Sequence, residues 1–565
     1  MFLERILSSL RYFSSSNVSS PTAAQRNGNL PQLSRNYTMS ATFASPGWDI
    51  LIAKPIGSVA LLGSLLKDSN NLSTIMSILP DRYYRSLLLN FVSWKALLLL
   101  LVIFSPGPAY DTSTALRTLG RNAANTDRHG LLTPVLGLLA TNLTRWDAIY
   151  FTEIARRGCL FEQEWAFNLG FASLIRAFAD GEDTWPQRAL DMPTNYMSVL
   201  RRTAGINPAL IESIIGIAVA HAAHGMSVFV LYSLARSVFP GRKGRNLAFI
   251  AACLHILSPA GLFLSAPYGE STHALLSFMG SLLFVLSFNH AGASTSLRDA
   301  LTLLSGIFYG LATAARSNGL LNGMILFEEA VRLLYSMTEG ITFAKTRRLI
   351  AVGMAGICTG LGFVIPQYIA YKQFCMNDKD PRIWCLRTIP SIYSFVQDHY
   401  WNNGFLRYWT LSNIPLFALA GPMLVIMTYS AIWTLGVGSD GQERGNGESS
   451  SNMPKTQVHS EAPLTGRLLR SLAAPQITLA ILTFLKHHVQ IITRMSSGYP
   501  VWYLWLAHAL VEGHSLVSSE KVGVCRGKKE TQIMKQYRYA RMTVFYMIVY
   551  SLIQGVLFAS FLPPA

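Results

Sequence analysis

"YRSLLLNFVSWKALLLLLVIFS" (84–105) is a long, predominantly apolar run, and reading it as a membrane-crossing helix decides the fold. About 20 apolar residues cross the hydrocarbon core of a bilayer. Lipid cannot satisfy bare backbone hydrogen bonds, so an open run of this kind must be helical. The rest of the chain has the same character. Of its 565 residues 50% are hydrophobic and only 14% charged, with a mean hydropathy of +0.30. A soluble chain carries about a quarter charged residues.

Similar runs follow near 208–238, 247–267, 271–289, 299–316, 318–336, 349–372, 413–436, 470–486, 499–516 and 541–561. The expectation is an all-α polytopic membrane protein with about 9–13 transmembrane helices, its membrane domain running over 84–561. Residues 1–83 form a tail read as disordered or cytosolic. Its first 45 residues are rich in Ser and Arg and poor in acids, a composition shared with mitochondrial transit peptides, and Met39 is an alternative start. The Gly/Ser-rich stretch 437–470 reads as a flexible cytosolic linker with nothing to bury.

The formal charge of +17 sits largely in short loops such as "GRKGR" (241–245), "KTRR" (345–348) and "CRGKKETQIMKQYRYAR" (525–541). That placement is a positive-inside signal and argues against nucleic acid as a partner. With those loops in the cytosol, 239–246, 290–298, 337–348, 437–469 and 517–540 share one side. The opposite side then receives the large loop 106–207, the short turns at 267–271 and 317, the loop 373–412, and 487–498. Four of these five contain the chain's densest mixture of aromatic, acidic, His and Arg residues outside the basic loops, so a functional site is expected on the non-cytosolic face.

"TNLTRWDAIYFTEIARRGCLFEQEWAF" (141–167) lies in the first of these loops. At helical spacing Asp147, Tyr150, Phe151 and Ile154 share a face and Glu153 falls off it, which describes an amphipathic helix at the interface. Asp147 at its start either serves chemistry or caps the helix beside the positive end of its dipole. "SAPYGES" (265–271) would put Tyr268 and Glu270 at the membrane surface. "AARSNG" (314–319) puts Arg316 and Asn318 at a span boundary, where an arginine also snorkels for structural reasons alone. "KHHVQIITRMSSGYP" (486–500) gathers His487, His488, Gln490 and Arg494. Adjacent histidines point apart on a helix, so a phosphate is a better match for these donors than zinc.

Other signals carry less. "DKD" (378–380) reads as a solvated turn, because no soluble α/β domain accompanies it to hold a nucleotide. Cys375 and Cys385 share one polar loop and either pair, if that loop is lumenal, or remain thiols. Asn142-Leu-Thr is a glycosylation sequon and a topology reporter if it is lumenal.

Taken in order, "RWDAIYFTEIARRG…FEQEWAF", "SPAGLFLSAPYGES", "ARSNGLLNG" and "HHVQIITR" resemble the motifs of the GPI mannosyltransferase 2 family. "SWKALLLLLVIFSPGPAYDTSTAL" (93–116) is similar to the fungal form of its first span and loop. The resemblance covers about 84–561. It departs from the family pattern at Cys159, where an aromatic follows the glycine, and at Asn168-Leu169, where the pattern has Phe-Pro.

The resemblance implies a GT-C-type glycosyltransferase of the endoplasmic reticulum membrane with lumenal catalytic loops. It implies dolichyl-phosphate mannose as donor, a one-mannose GPI precursor as acceptor, and an α-1,6 product. It matches Asp147 to the family's catalytic base, and in yeasts it suggests a small membrane partner subunit. The chemistry suits these residues. A β-linked donor giving an α-linked product inverts in one displacement, which needs one base rather than a close carboxylate pair. Dolichyl phosphate is a good leaving group, so no general acid, metal or cofactor is expected; positive charge on the departing phosphate helps. Arg494, His488 and Arg316 are candidates for that role, and Trp146 and Tyr268 for stacking on sugars. Glu162, Glu270, Asn318 and Gln490 complete the expected substrate-binding set.

Three other readings compete. One is a related transferase acting on lipid-linked oligosaccharide or adding the first GPI mannose; such relatives carry D-x-D or D-x-E where Asp147 is followed by Ala148 and Ile149. A transporter would bury ionisable residues mid-span and often repeat itself. A non-catalytic subunit would not need Asp147.

Overall fold

A computed structural model describes residues 82–107, 132–179, 210–289, 294–376, 382–437, 461–519 and 528–562, all within the unit Arg82–Ala565. The tail up to residue 81, "DKD", most of the linker and parts of the large loop lie outside the described residues. The described residues form helices and turns, with no strand among them.

Each of the eleven apolar runs is a helix. Seven are long and apolar enough to cross a membrane: α1 (Arg82–Phe104), α5 (Ile211–Val238), α7 (Glu270–Asn289), α10 (Phe343–Tyr371), α12 (Ile414–Gly436), α13 (Glu461–Lys486) and α16 (Lys528–Ala559). The other four are α6 (Gly241–Ile256), α8 (Thr295–Ala315), α9 (Gly323–Thr338) and α15 (Val501–Ser519). At 16 residues each, α6 and α9 reach about 24 Å, short of the ~30 Å core. Small and polar residues dilute α8 and α15. The chain is thus an all-α polytopic membrane protein whose longest apolar helices number fewer than the sequence suggests.

The helices pack in the row α5–α7–α8–α10. Gly306 and Gly310 form a small-xxx-small pair where α8 meets α10. A Cβ at Gly306 would lie 2.4 Å from Ala355 Cα, and one at Gly310 would lie 2.3 Å from the Cys358 carbonyl oxygen. Glycine is what lets these backbones touch, as in other membrane helix pairs.

The segment "LSPAGLFLSAPYG" (257–269) joins α6 to α7 through one 3-10 turn, Gly261–Leu264, and is buried throughout. The sequence suggests a helix to 267 and a surface turn; the structure shows an irregular strap inside the bundle. Irregular backbone is tolerated there because neighbours satisfy it. Lys95 Nζ of α1 donates to the Leu264 carbonyl at 2.9 Å and to Ser265 Oγ at 2.7 Å. From α16, Gln554 Oε1 accepts from Leu262 N at 3.2 Å and Ser551 Oγ donates to the Ser258 carbonyl at 3.0 Å.

Candidate active site

The chemistry-bearing loops converge at one end of this bundle. α2 (Leu132–Leu143) leads into α3 (Asp147–Arg157), whose apolar face packs Phe151 against Phe167, Phe171 and Tyr268. Phe171 belongs to α4 (Leu169–Ala179). Asp147 is the first residue of α3, and no side-chain hydrogen bond caps that end. Its Oδ2 accepts from Arg494 Nη1 at 2.7 Å, while the residue itself stays in the first turn beside the positive end of the helix dipole. Trp146 before it has φ 54°, a left-handed conformation uncommon for a bulky residue, and such strain gathers at functional sites.

Arg494 lies in the short α14 (Ile492–Met495). Its Nε is 3.6 Å from Glu270 Oε1, and Arg316 Nη1 is 3.0 Å from the same oxygen. The guanidinium also lies over the rings of Phe263 and Tyr268. Burial works against the Arg494 charge, but Asp147 and then Glu270 outweigh it and raise its pKa. Burial and the nearby Asp147 push the Tyr268 phenol well up, so it stays neutral.

Asp147 opens onto a cavity of about 910 Å³. Its polar wall includes Arg316, Asn318, Arg387, Asp398, Lys486, His487, His488 and Arg494, and its apolar wall Leu320, Leu321, Phe363, Leu479 and Leu482. Burial, and then Lys486 and His488 beside it, lower the His487 pKa to about 4. Arg387 and Asp398 come from the loop 382–413, which contains α11 (Ile392–His399). Beneath that loop Trp165, Phe374, Trp384 and Phe395 form an apolar cluster, and a Cys375–Cys385 disulfide closes its start. Of the two options left open for these cysteines, the structure has the pair.

Of the ten residues singled out in the sequence, Asp147, Arg316, Asn318, His488 and Arg494 line the cavity. Asn318 Nδ2 also donates to Tyr499 Oη at 3.2 Å. His488 Nε2 lies 2.9 Å from the Trp401 carbonyl, its ring stacked on Tyr408. Gln490 is held by Tyr408 Oη, which donates to its Oε1 at 2.9 Å. Trp146 stacks on Phe561 outside the cavity wall. Tyr268 and Glu270 belong to the buried strap and its junction with α7 rather than to a surface turn, with Tyr268 Oη donating to the Arg145 carbonyl at 3.2 Å. Glu162 accepts from Trp384 Nε1 at 3.0 Å and Tyr400 Oη at 2.9 Å, tying the turn Glu162–Phe167 to the loop. Glu164 takes the Leu160 and Phe161 amides and pairs with Arg157, and Glu153 pairs with Arg156 and Arg157.

The sequon is also decided by packing. Asn142 is buried, its Nδ2 donating to the Val102 carbonyl at 3.2 Å and its Oδ1 accepting from Arg145 at 3.0 Å, so it offers no room for a glycan. His487, grouped with the phosphate donors in sequence, lines the cavity too; Arg387, Asp398 and Lys486 join the site without having been singled out, and their one signal in sequence is the density of Arg, His and aromatic residues in 373–412 and 486–500.

The chain is similar to GPI mannosyltransferase 2 of Chaetomium globosum, 41% identical over 506 residues, covering 85% of this chain and 96% of that one. It is 38% identical over 492 residues to GPI mannosyltransferase 2 of Aspergillus oryzae, covering 86% and 97%. Among solved structures it aligns with the oligosaccharyltransferase of Archaeoglobus fulgidus at a TM-score of 0.38 and 12% identity, covering 83% of this chain and 55% of that one. The family model for mannosyltransferases of the PIG-V type matches residues 84–565, the whole helical bundle and every wall of the cavity, and the chain belongs to that family.

Proposed function

We propose that this chain transfers the second mannose of the GPI anchor, from dolichyl-phosphate mannose to a one-mannose GPI precursor, forming an α-1,6 bond. We place it in the endoplasmic reticulum membrane with its cavity facing the lumen, as a GT-C-type transferase. The observation that carries this reading is the carboxylate of Asp147, ion-paired with Arg494 at the start of α3, on the wall of a cavity lined by both cationic and apolar side chains.

Asp147 is the base. The acceptor hydroxyl attacks the anomeric carbon, its proton passes to Asp147, and the bond to the phosphate oxygen breaks with its electron pair on the phosphate. The configuration inverts, so one base suffices. Lys486, Arg387 and His488 are cavity donors not paired with Asp147 or Glu270, and with Arg494 they supply preorganised donors to the departing phosphate. The isoprenoid chain runs along Leu320, Leu321, Leu479 and Leu482. This chemistry asks for no metal, and a chelator should leave activity intact. A small membrane partner subunit remains part of the proposal, to be sought by co-purification.

The test is complementation of cells lacking the second GPI mannosyltransferase, with wild type and Asp147→Asn at matched expression. Rescue of surface GPI proteins by wild type alone supports both the activity and the base. Rescue by both moves the base elsewhere. Failure of wild type, co-expressed with its own partner subunit, removes the substrate assignment.

A further inference from the structure

Glu270 has no place in the cavity wall, yet it completes the chain of charges behind Asp147. Its side chain is 2% exposed. Arg316 and Arg494 approach the same Oε1 at 3.0 and 3.6 Å, but neither oxygen of Glu270 takes a well-directed hydrogen bond. A buried carboxylate normally has its acceptor sites filled. Here the spare capacity faces the guanidinium that holds Asp147.

We propose that Glu270 is a positioning residue for the transfer reaction, holding Arg494 in place while Asp147 takes the acceptor's proton and the arginine's charge passes to the departing phosphate. This deepens the functional reading above and rests on it.

At rest the chain Asp147–Arg494–Glu270–Arg316 has two negative and two positive members. As the sugar transfers, Asp147 gains the acceptor's proton and becomes neutral. The phosphate, released with the electron pair of the broken carbon–oxygen bond, gains one negative charge. Arg494 then loses its nearest counter-charge. A guanidinium this enclosed is costly to leave uncompensated. Glu270 keeps it compensated, and Nη1 turns from Asp147 toward the phosphate. The other titratable groups facing the chain are Tyr150 of α3, Tyr268 of the strap, His273 of α7 and Tyr393 of α11. Burial pushes all three phenols up, with Asp147 adding to it at Tyr150 and Tyr268, so they stay neutral.

The test is the pH–rate profile of the full chain in microsomes, with dolichyl-phosphate mannose and a one-mannose acceptor glycolipid, for wild type, Glu270→Gln and Glu270→Asp. Loss of the Glu270 charge tightens the hold of Arg494 on ionised Asp147, so the acid limb of Glu270→Gln moves to lower pH. Its plateau falls by about 10²-fold as base and cation lose their exchange. Glu270→Asp keeps the charge and restores the position of the limb. A purely structural role would scale the whole profile by the lost active fraction and leave the limb where it was. That result, or wild-type behaviour from Glu270→Gln, overturns the proposal. If Glu270→Gln yields no folded protein, a limb displaced in Glu270→Asp overturns it equally. A wild-type chain that transfers no mannose overturns the functional reading first, and this inference with it.

Discussion

Arg494 Nη1 and Asp147 Oδ2 meet at 2.7 Å across 347 residues of chain. The pair joins the start of α3 to the short helix after α13, and neither side chain has another strong tether into the cavity. Replacing Arg494 by Lys keeps one charge but loses the fork that reaches Asp147 and Glu270 together. Initial rates of mannosyl transfer, normalised to protein, should fall by about 10²-fold. A loss of less than a few-fold would mean that the pair is incidental.

Lys95→Met tests the strap. Lys95 fills the Leu264 carbonyl and Ser265 Oγ from inside α1. Methionine has a similar length and no donor, so the Leu264 carbonyl is left with Ser271 Oγ alone, at a cost of about 0.5–1.5 kcal/mol. Thermal unfolding in detergent should begin at lower temperature, and transfer should weaken because Tyr268 and Glu270 follow directly. An unchanged melting curve would show that the strap does not depend on α1.

Asn142 should carry no glycan. Its amide is spent on Val102 and Arg145. Endoglycosidase treatment should shift wild type and Asn142→Gln on a gel by the same amount. A shift lost only in Asn142→Gln would contradict the burial.

His487 should make stability depend on pH. Its folded pKa is near 4 because burial and then Lys486 disfavour the cation, against an ordinary value of 6.5. Between these values the unfolded chain binds the extra proton. Stability is therefore fully present above about pH 6.5 and declines as pH falls toward 4, at up to about 1.4 kcal/mol per unit. His487→Gln should flatten that decline in thermal melts recorded across the window. A slope unchanged by the substitution would assign it to other groups.

Much of the bundle is legible in sequence because a membrane helix reveals itself by length and composition. All eleven apolar runs are helices, although α6 stops at Ile256 and the apolar residues after it form the strap. That failure has a clear cause. Leu262 and Leu264 look like span residues, and nothing local shows that Lys95 and Gln554, far away in sequence, satisfy their backbone. The convergence of Asp147, Arg316 and Arg494 follows from topology, since one-sided loops must meet at one end of a bundle. Side-chain direction does not follow in the same way. Trp146 stands beside Asp147 in sequence and still turns to Phe561, and Glu162 and Glu270 turn to Trp384 and Arg316 rather than into the cavity.

The stacking of Trp146 on Phe561 bears on the order of assembly. The residue before Asp147 keeps its left-handed backbone against a ring contributed by the end of α16, more than four hundred positions later. During synthesis, early helices enter the bilayer long before that ring exists, so the seat of Asp147 stays incomplete until almost the whole chain has been made. A ribosome stalled before α16 would leave a membrane-inserted intermediate with every polar motif present and the corner around Asp147 open. Such late closure across great contour length is slow and exposed to misassembly, and it makes α16 a natural point at which quality control can tell a closed corner from an open one.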